Sequence, residues 1–318
     1  MPQNLLFFAP NHFNIDQVIL SELKKSPDYI VTQINPDKYH YKNVFERIIN
    51  FLGKVFLNKT LKKDWAAKDI LEAIKPNAPF DLCLIFRPDL LHPIVLKYIQ
   101  KNIPTRKVVY WDSFEKIPAL KPTLKYFNQF YSFEKEDCIA YNLNKITNFY
   151  SHKNTNVSPQ FDAFFFASKD ARLPNVVKLI TALRKQNLNA EALIVAKKSK
   201  FGYEKSDVEG ITITDESIPF SEIYKFSENT KAVIDIAHPN QKGLSMRPYE
   251  ALGLKRKLIT NNKAVKEFDF YNEDNIFVID DFDNIHIPNT FFEKPFTEIN
   301  PEIRNKYHIT IWLKNILA

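Results

Sequence analysis

Between Lys231 and Thr260 the chain passes from an apolar stretch through a polar loop into a short helical segment, then into a second apolar stretch. Lys231-Ala-Val-Ile-Asp-Ile236 has the continuous apolar character of a strand buried on both faces. The loop that follows carries Gly243, one of only five glycines. The segment Pro248–Leu252 reads as a helix with Arg247 and Glu250 at its start, and Leu258–Thr260 reads as the next strand. Strand, glycine loop, helix and strand in this order specify an open parallel sheet, whose ligand pockets form at the carboxyl ends of the strands. The helix start is then placed to face phosphates, and Glu250, one turn on, to accept hydrogen bonds from a ribose.

The same alternation fills the rest of the chain. In the first half, strands are expected at 5–9, 29–34, 81–87 and 107–111, and helices at 15–25, 44–61, 64–74, 91–101 and 122–130. Shorter strands are expected at 130–133 and 146–150. The breaker-rich Ser151-His-Lys-Asn-Thr-Asn-Val-Ser-Pro159 reads as a linker. Beyond it, strands are expected at 161–167, 190–196, 211–214, 232–236, 258–260 and 276–279. Helices alternate with them at 176–186, 220–227 and 248–252, and a single closing helix spans 301–317. The fold class is therefore α/β, with Rossmann-like domains at 1–155 and 156–300 facing each other across a cleft.

Composition removes several functional classes. Scarce glycine excludes a P-loop and a GxGxxG fingerprint. GxSxG and HExxH are absent, so serine-hydrolase and zincin chemistry find no support. No metal site is expected; Asp280-Asp281-Phe282-Asp283 reads as a solvated turn. Cys83 and Cys138 form neither a disulfide framework nor a thiolate site. No stretch is long enough to span a bilayer and the start lacks a basic leader, so the expected location is the cytoplasm. The net charge of +7 lies wholly in residues 1–155, which hold 22 Lys/Arg against 15 Asp/Glu. Such asymmetry suits an anionic partner, a lipid phosphate or membrane surface, or else a solvated basic face. No recognition motif accompanies it, so nucleic acid is not expected.

Gly243-Leu-Ser-Met-Arg247-Pro-Tyr-Glu250-Ala-Leu-Gly-Leu-Lys-Arg-Lys-Leu-Ile-Thr260 resembles the donor-binding segment of bacterial glycosyltransferases of the GT-B fold, of the kind acting in capsule and lipopolysaccharide synthesis. Tyr110–Phe114, Tyr131–Asp137 and Phe161–Leu173 fit the same group in order and spacing. The resemblance implies a nucleotide-sugar donor as substrate, no cofactor, a glycan or lipid-linked glycan acceptor, and a C-terminal helix at 301–318 packed back on the first domain. It assigns Glu250 to the donor ribose and draws Ser245 and Met246 into the donor segment. Many retaining members carry a second glutamate eight positions before this one; here that position is Lys242, so their two-glutamate mechanism does not carry over.

Arg247 and Lys242 flank the donor loop and are candidates to stabilise a departing diphosphate. Ser168, Lys169 and Arg172 occupy the first turn of the second half, where such folds commonly contact a diphosphate; Lys169 or Arg172 could add a second positive charge, or the turn could form a solvated helix cap with Asp170. Glu250 could instead pair with Arg247 or Lys257. His238 is expected at the edge of the cleft. Asp112, after the strand 107–111, and His12, after the first strand, are candidate general bases for an acceptor hydroxyl, with structural roles as the alternative. Residues 44–63 combine an apolar face with four lysines; packing on the N-terminal sheet is favoured over lying on a membrane. The leading function is metal-independent sugar transfer. A sugar-nucleotide epimerase of the same architecture and a non-catalytic sugar- or nucleotide-binding protein are the alternatives.

Overall fold

The computed structural model describes every residue except 12–13, 36–38, 40, 58–59, 154–156, 197–206, 217 and 240. The chain forms two compact units. One comprises Met1–His12, Asp16–Ser132 and Glu136–Ile146; the other comprises Phe13–Ile15, Phe133–Lys135 and Thr147–Ala318.

The first unit is built on β1 (Gln3–Phe8), β2 (Tyr29–Ile34), β3 (Leu82–Phe86), β4 (Thr105–Tyr110), β5 (Gln129–Ser132) and β6 (Asn144–Lys145), connected by α1 (Ile15–Leu23), α2 (Val44–Leu57), α3 (Leu61–Ile74), α4 (Pro93–Asn102) and α5 (Lys135–Tyr141). All neighbours are parallel, in the order β2-β1-β3-β4-β5-β6. Leu5 lies beside Leu82 and Phe8 beside Ile85. Every residue of β3 is buried, which is why it reads as an unbroken apolar run. Cys83 lies within it, and burial pushes its thiol up to about 12, so it is inert.

Two expectations for this unit change. Pro118–Tyr126 forms a 3-10 helix ending before β5, because Pro122 sits inside it and denies the backbone a donor. α2 also reverses the orientation expected of it. Val44, Phe45, Ile48, Ile49, Phe51, Leu52, Val55 and Phe56 are exposed, whereas Asn50 and Gly53 are buried. The helix is attached through polar groups. Glu46 Oε2 accepts from Tyr39 Oη and Lys42 N, both at 2.8 Å, and Asn50 donates to Tyr41 Oη and accepts from Lys62 N, both at 2.9 Å.

The second unit holds β7 (Phe161–Ser168), β8 (Ala190–Val195), β9 (Ile211–Thr214), β10 (Thr230–Asp235), β11 (Lys257–Thr260) and β12 (Ile276–Val278), with α6 (Leu173–Lys185), α7 (Phe220–Glu228), α8 (Arg247–Leu254), α9 (Asn289–Glu293), α10 (Pro301–Lys306) and α11 (Ile309–Leu317). This sheet is also parallel, ordered β12-β11-β10-β7-β8-β9. The chain builds outward from β7 to β9, then returns to the other side of β7 with β10. The order therefore reverses between β7 and β10, and ligands of such sheets bind above the strand ends at this reversal.

The closing helix is two helices. Tyr150 N donates to Tyr307 O and Ile309 N donates to Tyr150 O, both at 2.9 Å, and this bridge takes backbone groups a continuous helix would need. His308 then caps α11, accepting from Thr310 N. Trp312 donates to Thr147 O at 2.6 Å and packs on Phe149, with ring centroids 4.6 Å apart. The expected strand at 146–150 reduces to this bridge at Tyr150.

Candidate functional site

The loop between β10 and α8 is held by side chains along its backbone. Glu134 Oε2 accepts from the N–H groups of Lys242 at 3.2 Å and Gly243 at 3.1 Å. Asn262 donates to the carbonyls of the same two residues at 3.1 and 3.3 Å, and Asn148 donates to Leu244 O at 2.9 Å. Gly243 lies against Phe133 so closely that a Cβ would stand 2.7 Å from the Phe133 carbonyl oxygen. Only glycine fits this approach. Ser245 closes the loop: its hydroxyl donates to Asp235 Oδ1 at 2.8 Å and accepts from the N–H of Arg247, the first residue of α8, at 3.1 Å.

Asp235 ends β10 and is 2% exposed. Thr260, ending the neighbouring β11, donates to its Oδ2 at 3.2 Å. Burial pushes the Asp235 carboxyl above the usual carboxylate range; the bonds from Ser245 and Thr260 and the charges of Arg172 and Arg247 oppose the shift. The two arginines come from different loops. Arg172 follows β7, pairs with Asp170 at 2.6 Å and reaches Ile236 O at 3.3 Å. Arg247 starts α8, pairs with Glu250 and lies over the Phe166 ring at 5.6 Å. Desolvation raises the Asp170 carboxyl, but the Arg172 donors outweigh it and hold the group below its ordinary value, with His238 acting in the same direction.

The sequence candidates fall as follows. Arg172, His238, Gly243, Ser245, Met246, Arg247 and Glu250 lie on loops and helix starts at the carboxyl ends of β7 and β10. Ser168, Lys169 and Lys242 occupy the same edge with exposed side chains. Glu250 is buried and pairs with Arg247, which does not conflict with a ribose contact because a carboxylate accepts several hydrogen bonds. In the first unit Asp112 follows β4; Lys116 Nζ bonds one of its oxygens at 2.7 Å and Arg87 stands 3.7 Å from the other. Arg87 has φ +54°, an uncommon conformation at the end of β3. His12 lies outside the described residues. Asp280 and Asp283 pair with Lys263 and Lys178 at the surface.

No protein-family model and no curated protein matches the chain. Solved structures do. The UDP-GlcNAc 2-epimerase of Methanocaldococcus jannaschii, in complex with UDP-GlcNAc and UDP, is 12% identical with a TM-score of 0.52, covering 100% of this chain and 98% of that one. A glycosyltransferase from Rickettsia africae ESF-5 is 12% identical with a TM-score of 0.53, covering 99% and 97%. AviGT4, a glycosyltransferase involved in avilamycin A biosynthesis, is 7% identical with a TM-score of 0.56, covering 99% and 96%. The chain has the α/β fold of these enzymes, with two parallel six-stranded sheets.

Sequence reading missed the residues that hold the site. Glu134 lies over a hundred positions from the loop it binds, and no local pattern links the two. Asp235 was visible as an acid inside the apolar run Ala-Val-Ile-Asp-Ile236, where an ionisable group needs partners. Asn148 and Asn262 carry no local signal. Arg87 meets Asp112 only because β3 and β4 are adjacent, whereas Lys116 lies four positions beyond Asp112, a spacing that local sequence shows.

Proposed function

We propose that the second unit binds a nucleoside diphosphate-sugar above the ends of β7 and β10, and that the protein transfers the sugar to a glycan acceptor. The observation that carries this reading is the pair of arginines at the reversal of strand order, Arg172 reaching Ile236 O at the end of β10 and Arg247 held by Glu250 over the Phe166 ring of β7, beside a loop tied down by side-chain bonds. Sugar transfer breaks the bond between the anomeric carbon and the diphosphate, and negative charge builds on the leaving phosphate. Two guanidiniums fixed by carboxylates are preorganised to receive that charge. Glu250 is proposed to accept the ribose hydroxyls while retaining Arg247. Lys242 and Lys169 add positive charge at the rim, and His238 is a proposed contact to the donor. The acceptor hydroxyl attacks the anomeric carbon and gives its proton to a base, for which Asp112 and His12 are the proposed groups.

The ligands of the Methanocaldococcus structure support a UDP-sugar as the donor class. By resemblance, the acceptor is a capsule or lipopolysaccharide glycan, with the protein working at the inner face of the membrane. The same likeness favours a second reading, epimerisation of the nucleotide-sugar itself. Two experiments separate these. In a thermal-shift panel of UDP, GDP, ADP and CMP, one nucleotide is expected to stabilise the protein; a flat panel contradicts the donor site. Incubating the matching nucleotide-sugar without acceptor then decides the reaction. A changed sugar configuration identifies the epimerase, and turnover that requires an acceptor identifies the transferase.

A further inference from the structure

We infer that α2 is a docking helix that lies on an anionic lipid surface. The inference stands on α2 alone, so lipid docking and donor binding fail independently.

Eight large apolar side chains on this helix face solvent, among them Val44 at 68%, Phe45 at 74%, Phe51 at 63% and Phe56 at 76% exposure. At about 100° per residue they fill an arc of roughly 160°. The opposite arc carries Glu46, Asn50 and Gly53, and it is this polar and small face that meets the protein. A helix of a water-soluble domain places these faces the other way round. A continuous exposed apolar face of this kind marks a surface that something apolar covers.

The charge pattern names the occupant. Residues 42–63 contain six Lys or Arg and one acid, Glu46. Glu46 is turned toward Tyr39 and Lys42, so it does not face outward. Arg47 and Lys54 are exposed, and on the helical wheel they flank the apolar arc on one side. An apolar arc bordered by cations matches the interface of a bilayer that contains acidic phospholipid, where acyl chains meet negative headgroups. A second copy of the chain fits less well, because an antiparallel two-fold contact through this face would set Arg47 and Lys54 of each copy on the same side as those of the other. No described helix is long and apolar enough to cross a membrane, which agrees with a helix lying in the interface plane.

The test is co-sedimentation of the full chain with vesicles of phosphatidylcholine alone and of phosphatidylcholine with about one third phosphatidylglycerol, at low and high salt. The wild type is expected to pellet with the anionic vesicles at low salt and to be released as salt rises. The triple variant Phe45→Ser, Phe51→Ser, Phe56→Ser and the double variant Arg47→Gln, Lys54→Gln are each expected to bind about tenfold more weakly or worse. All the changed residues are exposed, and circular dichroism melting checks that both variants fold; if the triple variant melts early, the double variant decides. Wild-type protein that stays in the supernatant, or variants that pellet as the wild type does, overturn the inference. A wild-type dimer that the triple variant converts to monomer, with no lipid binding by either, assigns the face to self-association and also overturns it.

Discussion

Three residues set the character of the candidate site, each through a different force. Gly243 acts through space. Gly243→Ala is expected to push the loop off Phe133, costing about 1–3 kcal/mol and most of the nucleotide-induced stabilisation; melting with and without nucleotide measures both. Glu250 acts through charge. Its pair with Arg247 is largely buried, with side chains 10% and 15% exposed, so Glu250→Ala leaves a guanidinium without its counter-charge at a cost of about 3 kcal/mol. Glu250→Gln keeps a hydrogen-bond acceptor for Arg247 but removes the charge, so it is expected to cost about 2 kcal/mol, between wild type and Glu250→Ala; melting of both variants with and without nucleotide tests the proposed ribose contact. Asp235 acts through protonation. Its folded-state carboxyl lies above the ordinary range, so its contribution to stability is fully present below the unfolded value and is lost as pH rises through the folded one. Asp235→Asn is expected to flatten that decline. A Tm-against-pH profile for the variant that parallels the wild type over the mildly acidic to neutral range contradicts this account.

At the scale of elements, what was legible followed from periodicity and what was not followed from contacts between distant segments. The strands at 29–34 and 211–214 have the limits expected from the sequence, because short runs rich in β-branched residues and bounded by turn residues mark strands even at the half-exposed edges of the sheets. The helix at 301–317 was read as one because nothing local announces that Tyr150 bridges its middle. Helix α2 forms where its periodicity predicts a helix, but it turns the opposite face to the protein. Periodicity reports that a helix has an apolar face and is silent on what covers it. The Arg247 and Glu250 segment was legible because a helix start after a strand has a fixed relation to the strand ends. The Glu134 and Asn262 contacts that hold the loop were not, since both depend on tertiary approach. Asn262→Ala is expected to loosen this loop and weaken nucleotide affinity about tenfold, with smaller loss of stability, because the two carbonyls it releases can turn to water. Calorimetric titration beside a melting curve separates the two effects.

For the whole molecule, two parallel sheets of six strands each present loops and helix starts at their carboxyl ends, and each carries its own cluster of charge. The second sheet offers paired arginines; the first offers Asp112 between Lys116 and Arg87. Asp112→Asn is expected to lower kcat of sugar transfer by about a hundredfold or more if Asp112 removes the acceptor proton, while donor binding stays unchanged. Equal activity in variant and wild type moves that role to His12.

The central claim is that Arg172 and Arg247 together grip the diphosphate of a sugar nucleotide. Isothermal titration of the wild type, Arg172→Gln and Arg247→Gln with the nucleoside diphosphate selected by the thermal panel tests it most directly. The expected result is saturable binding by the wild type and a loss of about tenfold to a hundredfold in affinity for each variant, at 1–3 kcal/mol per charge-assisted bond. Equal affinity in all three proteins would contradict it.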